Sequence, residues 1–217
     1  MGKKYFLEMN FQAYFIFKLC RVFILIQKLK FLFMIMIIIA IIVLLAIGII
    51  SLYNRLVKLK IKVDNSWSDI RVFLKKRYDL IPNLVSTVKG YATHESTTFQ
   101  NVTEARNIAA SVPPSDVQAS AKANQVLGGA LNGLLAVAEN YPDLKASQSF
   151  LELQSALQSI ENDLGNARRY YNATVRDFNT AIQQFPASLV ANRSGFNPRD
   201  FFELENAGEA QSVAVKF

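Results

Sequence analysis

Residues 143–185 read DLKASQSFLELQSALQSIENDLGNARRYYNATVRDFNTAIQQF and carry the most regular hydrophobic pattern of the chain. One apolar or aromatic row recurs every seven residues, at Phe150, Leu157, Leu164, Tyr171, Phe178 and Phe185. A second row beside it holds Leu153, Ile160, Ala167, Val175 and Ile182. Two apolar rows sustained over about five heptads predict one long helix over 143–185 with a coiled-coil-like seam.

The residues before this helix also show a helical period. Leu56, Val63 and Ile70 recur every seven residues, and Trp67, Leu74 and Ile81 form the adjacent row. Neither Gly nor Pro lies between Ser51 and Ile81, so we expect one unbroken helix there. Pro82 disfavours the helical conformation of the residue before it, which predicts a break or kink at Asp79–Ile81.

Two further helices are expected between Pro82 and residue 143. The first covers 82–110 and ends before Pro113-Pro114; the second covers 116–139. The second contains Gly128, Gly129 and Gly133, which either allow close backbone approach or leave the segment locally mobile. No useful stretch alternates with period two. The predicted fold is therefore all-α, an antiparallel bundle of about four long helices.

The bundle is preceded by an apolar run without a charge. Phe31–Ile50 reads FLFMIMIIIAIIVLLAIGII, and twenty helical residues span about 30 Å, the thickness of the hydrocarbon core. The run is too long for a cleavable signal core of about 7–15 residues. We expect a single transmembrane helix at 31–52 that continues into a bundle at 53–205, with a flexible tail at 206–217.

The net charge of +7 raises the question of nucleic-acid binding, and its distribution answers it. Residues 1–30 carry a net +5 and residues 54–77 a net +6, whereas the chain from Tyr78 onward carries a net −4. The basic residues therefore flank the apolar run, where anionic headgroups attract each Lys or Arg by about 1 kcal/mol. We expect a lipid bilayer as partner, with Arg55, Lys58, Lys60 and Lys62 at its surface, and no nucleic acid.

Residues 1–30 allow two interpretations. They could form an interfacial amphipathic helix, with Lys18, Arg21 and Lys28 on one face. Alternatively, translation starts at Met34 or Met36 and the basic leader is an annotation artefact. With the leader, both flanks of the apolar run are equally basic and the positive-inside rule cannot orient the chain. Without it, the rule predicts a bundle in the cytoplasm.

Several stretches resemble the LemA family. They are YNRLVKLKIKVDNSWSDIRVFLKKRYDLIPNLV (53–85), ENYPDLKA (139–146), ENDLGNARRYYNATVRDFN (161–179) and the FP pair at 185–186. The resemblance covers about residues 34–205. It implies a bacterial protein with one N-terminal membrane helix and a bundle of long helices. No enzymatic activity is established for the family; some members are associated with a membrane metalloprotease and one branch with magnetosome membranes.

Three polar groups are candidate sites. The stretch around Arg77, Tyr78, Asp79, Pro82 and Asn83 either forms a docking surface or only fixes the expected kink, with Asp79 and Asn83 bonding backbone groups that Pro82 frees. Glu161, Arg168 and Asn172 lie on the long helix, where buried polar residues set the register of a bundle.

The third group is His94-Glu95, which lacks the second histidine of HExxH because Thr98 stands there. Cys20 is the single cysteine, so no intramolecular disulfide is expected. The sequence shows no paired carboxylates, catalytic triad or phosphate loop. We therefore expect no catalytic site, cofactor, metal or small-molecule substrate.

Two functions remain in consideration. The first is a non-enzymatic scaffold or adaptor in the cell membrane, with a protein partner or a homo-oligomer. The second is a lipid-engaging, membrane-remodelling protein, for which the basic residues at 54–77 argue. An accessory role for a membrane metalloprotease rests on the family resemblance only.

Overall fold

The computed structural model describes the backbone of residues 2–202 and the side chains of residues 28–202. The predicted amphipathic face of the leader and the predicted tail at 206–217 lie outside these described residues. The chain forms two compact units, divided between Asn54 and Arg55.

The first unit consists of the N-terminal part of helix α1 (Gly2–Lys89). Its side chains from Phe31 to Ile50 are exposed except for Ile35, which is half-buried. By length and composition the described helix qualifies as one candidate membrane span. An all-apolar exposed surface of this size is unfavourable in water and favourable in a bilayer, because a helix satisfies its own backbone groups there.

The second unit begins with the remainder of α1. Of the break or kink predicted at Asp79–Ile81, the break is wrong and the kink stays a prediction. The helix contains Pro82 and continues to Lys89. Ile81, Leu84 and Val88 are 2%, 0% and 0% exposed, so burial of this row holds the helical conformation through the proline. The helix predicted for 82–110 is consequently divided, and a turn lies at residues 90–95.

Five further helices follow in the described residues, and none of these residues forms a strand. They are α2 (Ser96–Ser111), α3 (Val117–Glu139), α4 (Pro142–Lys145), α5 (Gln148–Gln183) and α6 (Ala187–Ser194). Asp116 caps α3 by accepting a hydrogen bond from the Ala119 N–H at 2.8 Å, and all three glycines of 128–133 lie within that helix. The predicted helix 143–185 is two helices, because Ser147 has an extended backbone. The all-α bundle is confirmed.

The seven-residue row of α5 is buried over most of its length. Phe150, Leu157, Leu164, Tyr171 and Phe178 are at most 6% exposed, whereas Phe185 is 81% exposed. Phe185 was predicted to belong to this row, and that prediction is wrong. The helix ends at Gln183 and Gln184 is extended, so residue 185 no longer lies on the helical face.

Two apolar clusters form the core of the second unit. One joins α1 near Ile81 and Leu84 to α2, α3 and the start of α5. The other joins α1 at Leu56–Leu74 to the rest of α5, α6 and Phe202. Ser66 contacts Thr174 and Arg77 contacts Glu161, so residue numbers rise along α1 as they fall along α5. The two helices are therefore antiparallel.

Candidate functional site

A charged pair lies between α1 and α5 in the interior of the second unit. Arg77 Nε is 2.7 Å from Glu161 Oε1, and the two side chains are 5% and 34% exposed. The N–H does not point along this line, so the contact is an ion pair and not a hydrogen bond. Sequence reasoning named both residues but placed them in different groups, since no spacing rule links residues 84 positions apart.

A second arginine leaves the pair with an excess of positive charge. Arg168 lies two turns after Glu161 on the same face of α5. Its Nε is buried without a hydrogen-bond partner among the described residues. Burial lowers the pKa of Arg168 below its ordinary value, although the Glu161 carboxylate opposes this. Burial likewise lowers the pKa of Arg77, again opposed by Glu161. The one carboxylate of Glu161 therefore stabilises the charged form of both arginines and offsets part of their positive charge.

Tyr78 and Asn124 extend the polar cluster toward α3. Asn124 Nδ2 donates to the Tyr78 hydroxyl oxygen at 2.7 Å and to the Ser120 carbonyl at 2.8 Å. Burial raises the pKa of the Tyr78 phenol. A Cβ added at Gly128 would lie 3.5 Å from Arg77 Nη2, an ordinary van der Waals distance, so the guanidinium packs against this turn of α3. A Cβ at Gly129 or Gly133 would meet no atom within 4 Å, so the predicted close approach of a second backbone is not seen at these three glycines.

The backbone group that Pro82 leaves without a partner is bonded from another helix. Pro82 has no N–H for the carbonyl of Tyr78, and Arg106 Nε of α2 donates to that oxygen at 3.3 Å. Asp79 was expected to serve such a group, but it is exposed and pairs with Lys75 at 2.7 Å. Asn83 is also exposed, and its backbone carbonyl accepts hydrogen bonds from the Ser86 and Thr87 hydroxyls.

A cavity of about 260 Å³ opens beside the charged pair. It is bordered by Arg77 and Glu161, by the amides Asn132, Gln154 and Gln158, and by leucines. The cavity contains neither a nucleophile nor a histidine. Among the described residues no group of three or more His, Cys, Asp or Glu is arranged to hold a metal ion. His94 is exposed, in the turn before α2.

Asn172 of α5 contacts Phe202, the last residue that the structure describes. Asn172 bonds both backbone groups of Phe202, with Phe202 N–H donating to Oδ1 at 2.9 Å. The Tyr171 hydroxyl donates to the Asp200 carbonyl at 2.9 Å. Sequence reasoning placed Asn172 in the bundle register and missed Asn179, which bonds Arg199 in the same way. Their seven-residue separation on one helix was a signal for a shared face.

Tyr171 makes the stability of the protein depend on pH in the alkaline range. Burial raises the pKa of its phenol to about 12, whereas the unfolded chain ionises near 10. The contribution is therefore fully present below pH of about 10 and is lost as the pH rises through 12. We expect the ionisation of Tyr171 to lower the free energy of unfolding by about 2 kcal/mol between pH 10 and pH 12.

Urea unfolding at several alkaline pH values, followed by Trp67 fluorescence, measures this loss. Tyr171→Phe has no proton to release, so its stability should fall less steeply between pH 10 and 12. The contribution of Tyr78, whose pKa is also raised, remains in both proteins. An identical pH slope in wild type and Tyr171→Phe would show that the phenol is not held protonated by the fold.

The basic residues after the division between the units do not share one face. At about 100° per residue, Arg55, Lys58 and Lys62 lie within about 60° of one another on α1, and Lys60 lies elsewhere. All four are exposed. Lys62 Nζ lies 5.6 Å from the Tyr170 ring centroid, whereas Lys60 borders a cavity with Phe196 and Pro198. Three of the four predicted surface contacts thus form one basic face.

Known proteins resemble this chain over most of its length. Residues 66–217 match the LemA family. Magnetosome protein MamQ of Magnetospirillum gryphiswaldense is 22% identical over 203 residues, which cover 78% of this chain and 75% of that protein. Protein LemA of Metamycoplasma hominis is 26% identical over 142 residues, which cover 64% of each chain.

Proposed function

Because the chain belongs to the LemA family, we propose that it is a non-enzymatic scaffold of the cell membrane. The apolar stretch of α1 anchors it, and the helical unit from Arg55 onward contacts membrane proteins, including further copies of the same chain. The proposal places the anchor in the cytoplasmic membrane as a single span.

The observation that carries the proposal is that polar side chains of α5 contact other elements of the bundle. Glu161 pairs with Arg77 of α1, and Asn172 bonds the backbone of Phe202. Thr174 bonds Ser66 of α1 across the buried interface. These side chains join one element of the bundle to another, and such use of polar groups specifies an arrangement of helices. A surface of fixed shape, and not a reactive group, is what this arrangement offers.

The exposed apolar stretch of the first unit supports the anchor. Phe31 and Leu44 are 61% and 68% exposed, and the stretch between them is apolar throughout. Charged residues at the centre of a span cost about 2.5–3.5 kcal/mol each. Ile38→Arg together with Val43→Arg should therefore release the chain from membranes.

Cross-linking in cells with a membrane-permeant reagent tests the scaffold. The tagged full-length chain should sediment with membranes after alkaline extraction and form specific adducts with a membrane protein or with itself. The Ile38→Arg, Val43→Arg variant, expressed at the same level, is the matched control and should lose those adducts. A wild-type chain that extracts as a soluble protein, or that forms no adduct beyond the control, contradicts the proposal.

A second function, engagement and deformation of lipid, is favoured by the basic face of Arg55, Lys58 and Lys62. Like-signed residues within one helical face attract anionic headgroups. The full-length chain carrying all three changes to Glu is compared, in anionic vesicles, with a control carrying Lys122→Glu, Lys145→Glu and Arg193→Glu. These control positions are exposed and lie elsewhere in the unit. Equal vesicle shapes and equal oligomeric states for both variants and wild type exclude the lipid function.

A further inference from the structure

The cavity beside the Arg77–Glu161 pair is bordered by three helices, and we call it the three-helix cavity. Helix α1 contributes Arg77, α3 contributes two leucines and an asparagine, and α5 contributes a leucine, two glutamines and Glu161. Its volume is about 260 Å³. Since a water takes up about 30 Å³ of liquid, the cavity has room for a small molecule of about nine non-hydrogen atoms.

The buried and exposed borders of the cavity differ in chemistry. Arg77 lies on the buried border together with Leu131 and Leu157. Arg77 Nη2 is the nearest atom to a Cβ added at Gly128, which also borders the cavity, so a terminal nitrogen of the guanidinium lies at the cavity wall. The exposed border consists of three amide side chains, Asn132, Gln154 and Gln158. A molecule that enters between the amides therefore meets a buried guanidinium and apolar side chains.

Buried polar atoms without a hydrogen-bond partner are concentrated at this place. Among residues 28–202 they are Arg77 Nε, Glu161 Oε1, Arg168 Nε and Asn124 Oδ1. Arg77 and Glu161 border the cavity, and Asn124 bonds the hydroxyl of Tyr78, which follows Arg77 in the chain. Because buried polar groups in proteins are nearly always hydrogen-bonded, this concentration points to a polar molecule bound here.

The charges beside the cavity favour an anion. Among the described residues, Glu161 is the one carboxylate whose charge acts on both Arg77 and Arg168. Burial lowers the pKa of Arg168 most, and the positive charge of Arg77 lowers it further, so the two guanidinium groups lie within electrostatic reach of each other. Glu161 Oε1 faces Nε of Arg77, which leaves the terminal nitrogens of Arg77 for a second acceptor. One bound negative charge would bring this group of residues to neutrality.

A carboxylate with a short apolar body matches these features. A carboxylate is planar, accepts two parallel N–H bonds from one guanidinium and carries a single negative charge. A phosphate group carries about 1.5 to 2 negative charges at pH 7, which exceeds the charge that is needed. Leu131, Leu135 and Leu157 offer apolar surface to the body of the molecule.

We infer that the three-helix cavity binds a small monocarboxylate, with its carboxylate on Arg77 and its apolar body on the leucines. The molecule is a ligand and not a substrate, because the lining residues include neither a nucleophile nor a histidine. It contacts α1, α3 and α5 at once, so its binding stabilises the folded arrangement of these helices. The inference goes beyond the scaffold proposal and does not depend on it.

Equilibrium dialysis of the full-length protein in lipid discs tests the site with hexanoate, a monocarboxylate of suitable size. Hexanamide has the same shape without the charge and is the matched control ligand. Empty discs correct for partition of either compound into lipid. At neutral pH we expect saturable binding of hexanoate, about tenfold tighter than that of hexanamide, because hydrogen bonds to a charged group are the stronger ones.

Two variants locate the bound hexanoate. Gln158→Phe places a ring at the exposed border of the cavity and should weaken hexanoate binding several-fold. Gln183→Phe changes an exposed glutamine at the last residue of α5, away from the cavity, and should bind as the wild type does. Arg77→Met together with Glu161→Gln removes the charged pair and should abolish the preference for hexanoate over hexanamide. Circular dichroism checks that each variant keeps its helical content.

Absence of saturable hexanoate binding overturns the inference, as does equal affinity of the wild type for hexanoate and hexanamide. Hexanoate binding that is unchanged by Gln158→Phe places the ligand outside the cavity and also overturns it. So does a preference for hexanoate that survives the loss of Arg77. The scaffold proposal is tested separately, since the membrane adducts of the wild-type chain are measured without hexanoate.

Discussion

Replacing Glu161 with glutamine is expected to lower the free energy of unfolding by about 2–3 kcal/mol. The change leaves the buried Arg77, 4% exposed, without its counter-charge while Arg168 remains nearby. Removing one member of a buried ion pair costs about 3–5 kcal/mol, and the 34% exposure of the Glu161 side chain places the effect below that range. Urea unfolding of the full-length protein in detergent, followed by Trp67 fluorescence, measures it.

Asp79→Asn is the matched control for this prediction. It removes an equivalent carboxylate, but the Lys75–Asp79 pair is 76% and 57% exposed, so the loss should stay below about 0.5 kcal/mol. Arg77→Met in the Glu161→Gln background should then recover part of the stability, since it removes the unpaired charge. Equal effects of Glu161→Gln and Asp79→Asn would mean that the arginine cluster is solvated.

Replacing Phe178 with alanine is expected to destabilise the second unit by about 3–5 kcal/mol. Its side chain is 1% exposed and its ring centroid lies 6.3 Å from that of Phe196, so truncation removes buried area and leaves a cavity. The same unfolding assay reports the loss through Trp67.

Phe185→Ala is its matched control, seven residues along the same predicted row. Phe185 is 81% exposed, so its truncation should change stability by no more than about 0.5 kcal/mol. Similar losses at residues 178 and 185 would contradict the end of α5 at Gln183.

Hydrophobic spacing predicted most of the helices and much of the core. The rows Leu56, Val63, Ile70 and Phe150 to Phe178 are buried as expected, because burial of one face is what a seven-residue repeat encodes. The same reasoning failed at Phe185, since a period assigns a face only while the helix lasts. It also failed at Pro82, because the carbonyl that proline frees is bonded by Arg106, a residue on another helix.

The polar contacts were less accessible to sequence reasoning. Glu161, Arg168 and Asn172 were identified from their positions on a long apolar helix, but their partners depend on how α1 and α5 align. Arg77 meets Glu161, and Phe202 meets both Arg168 and Asn172, only after the bundle forms. Trp67 and Asn124 were not singled out as polar partners, since Trp67 matched the apolar row and Asn124 lay in an Ala-rich helix.

The number of chains in each membrane-embedded particle tests the scaffold proposal most directly. Full-length protein extracted into lipid discs without detergent is weighed particle by particle, and the 24.4 kDa chain mass converts the protein contribution into copies. We expect particles with two or more copies, or one copy together with a specific membrane protein. Single chains without a partner, at every membrane density tested, would contradict it.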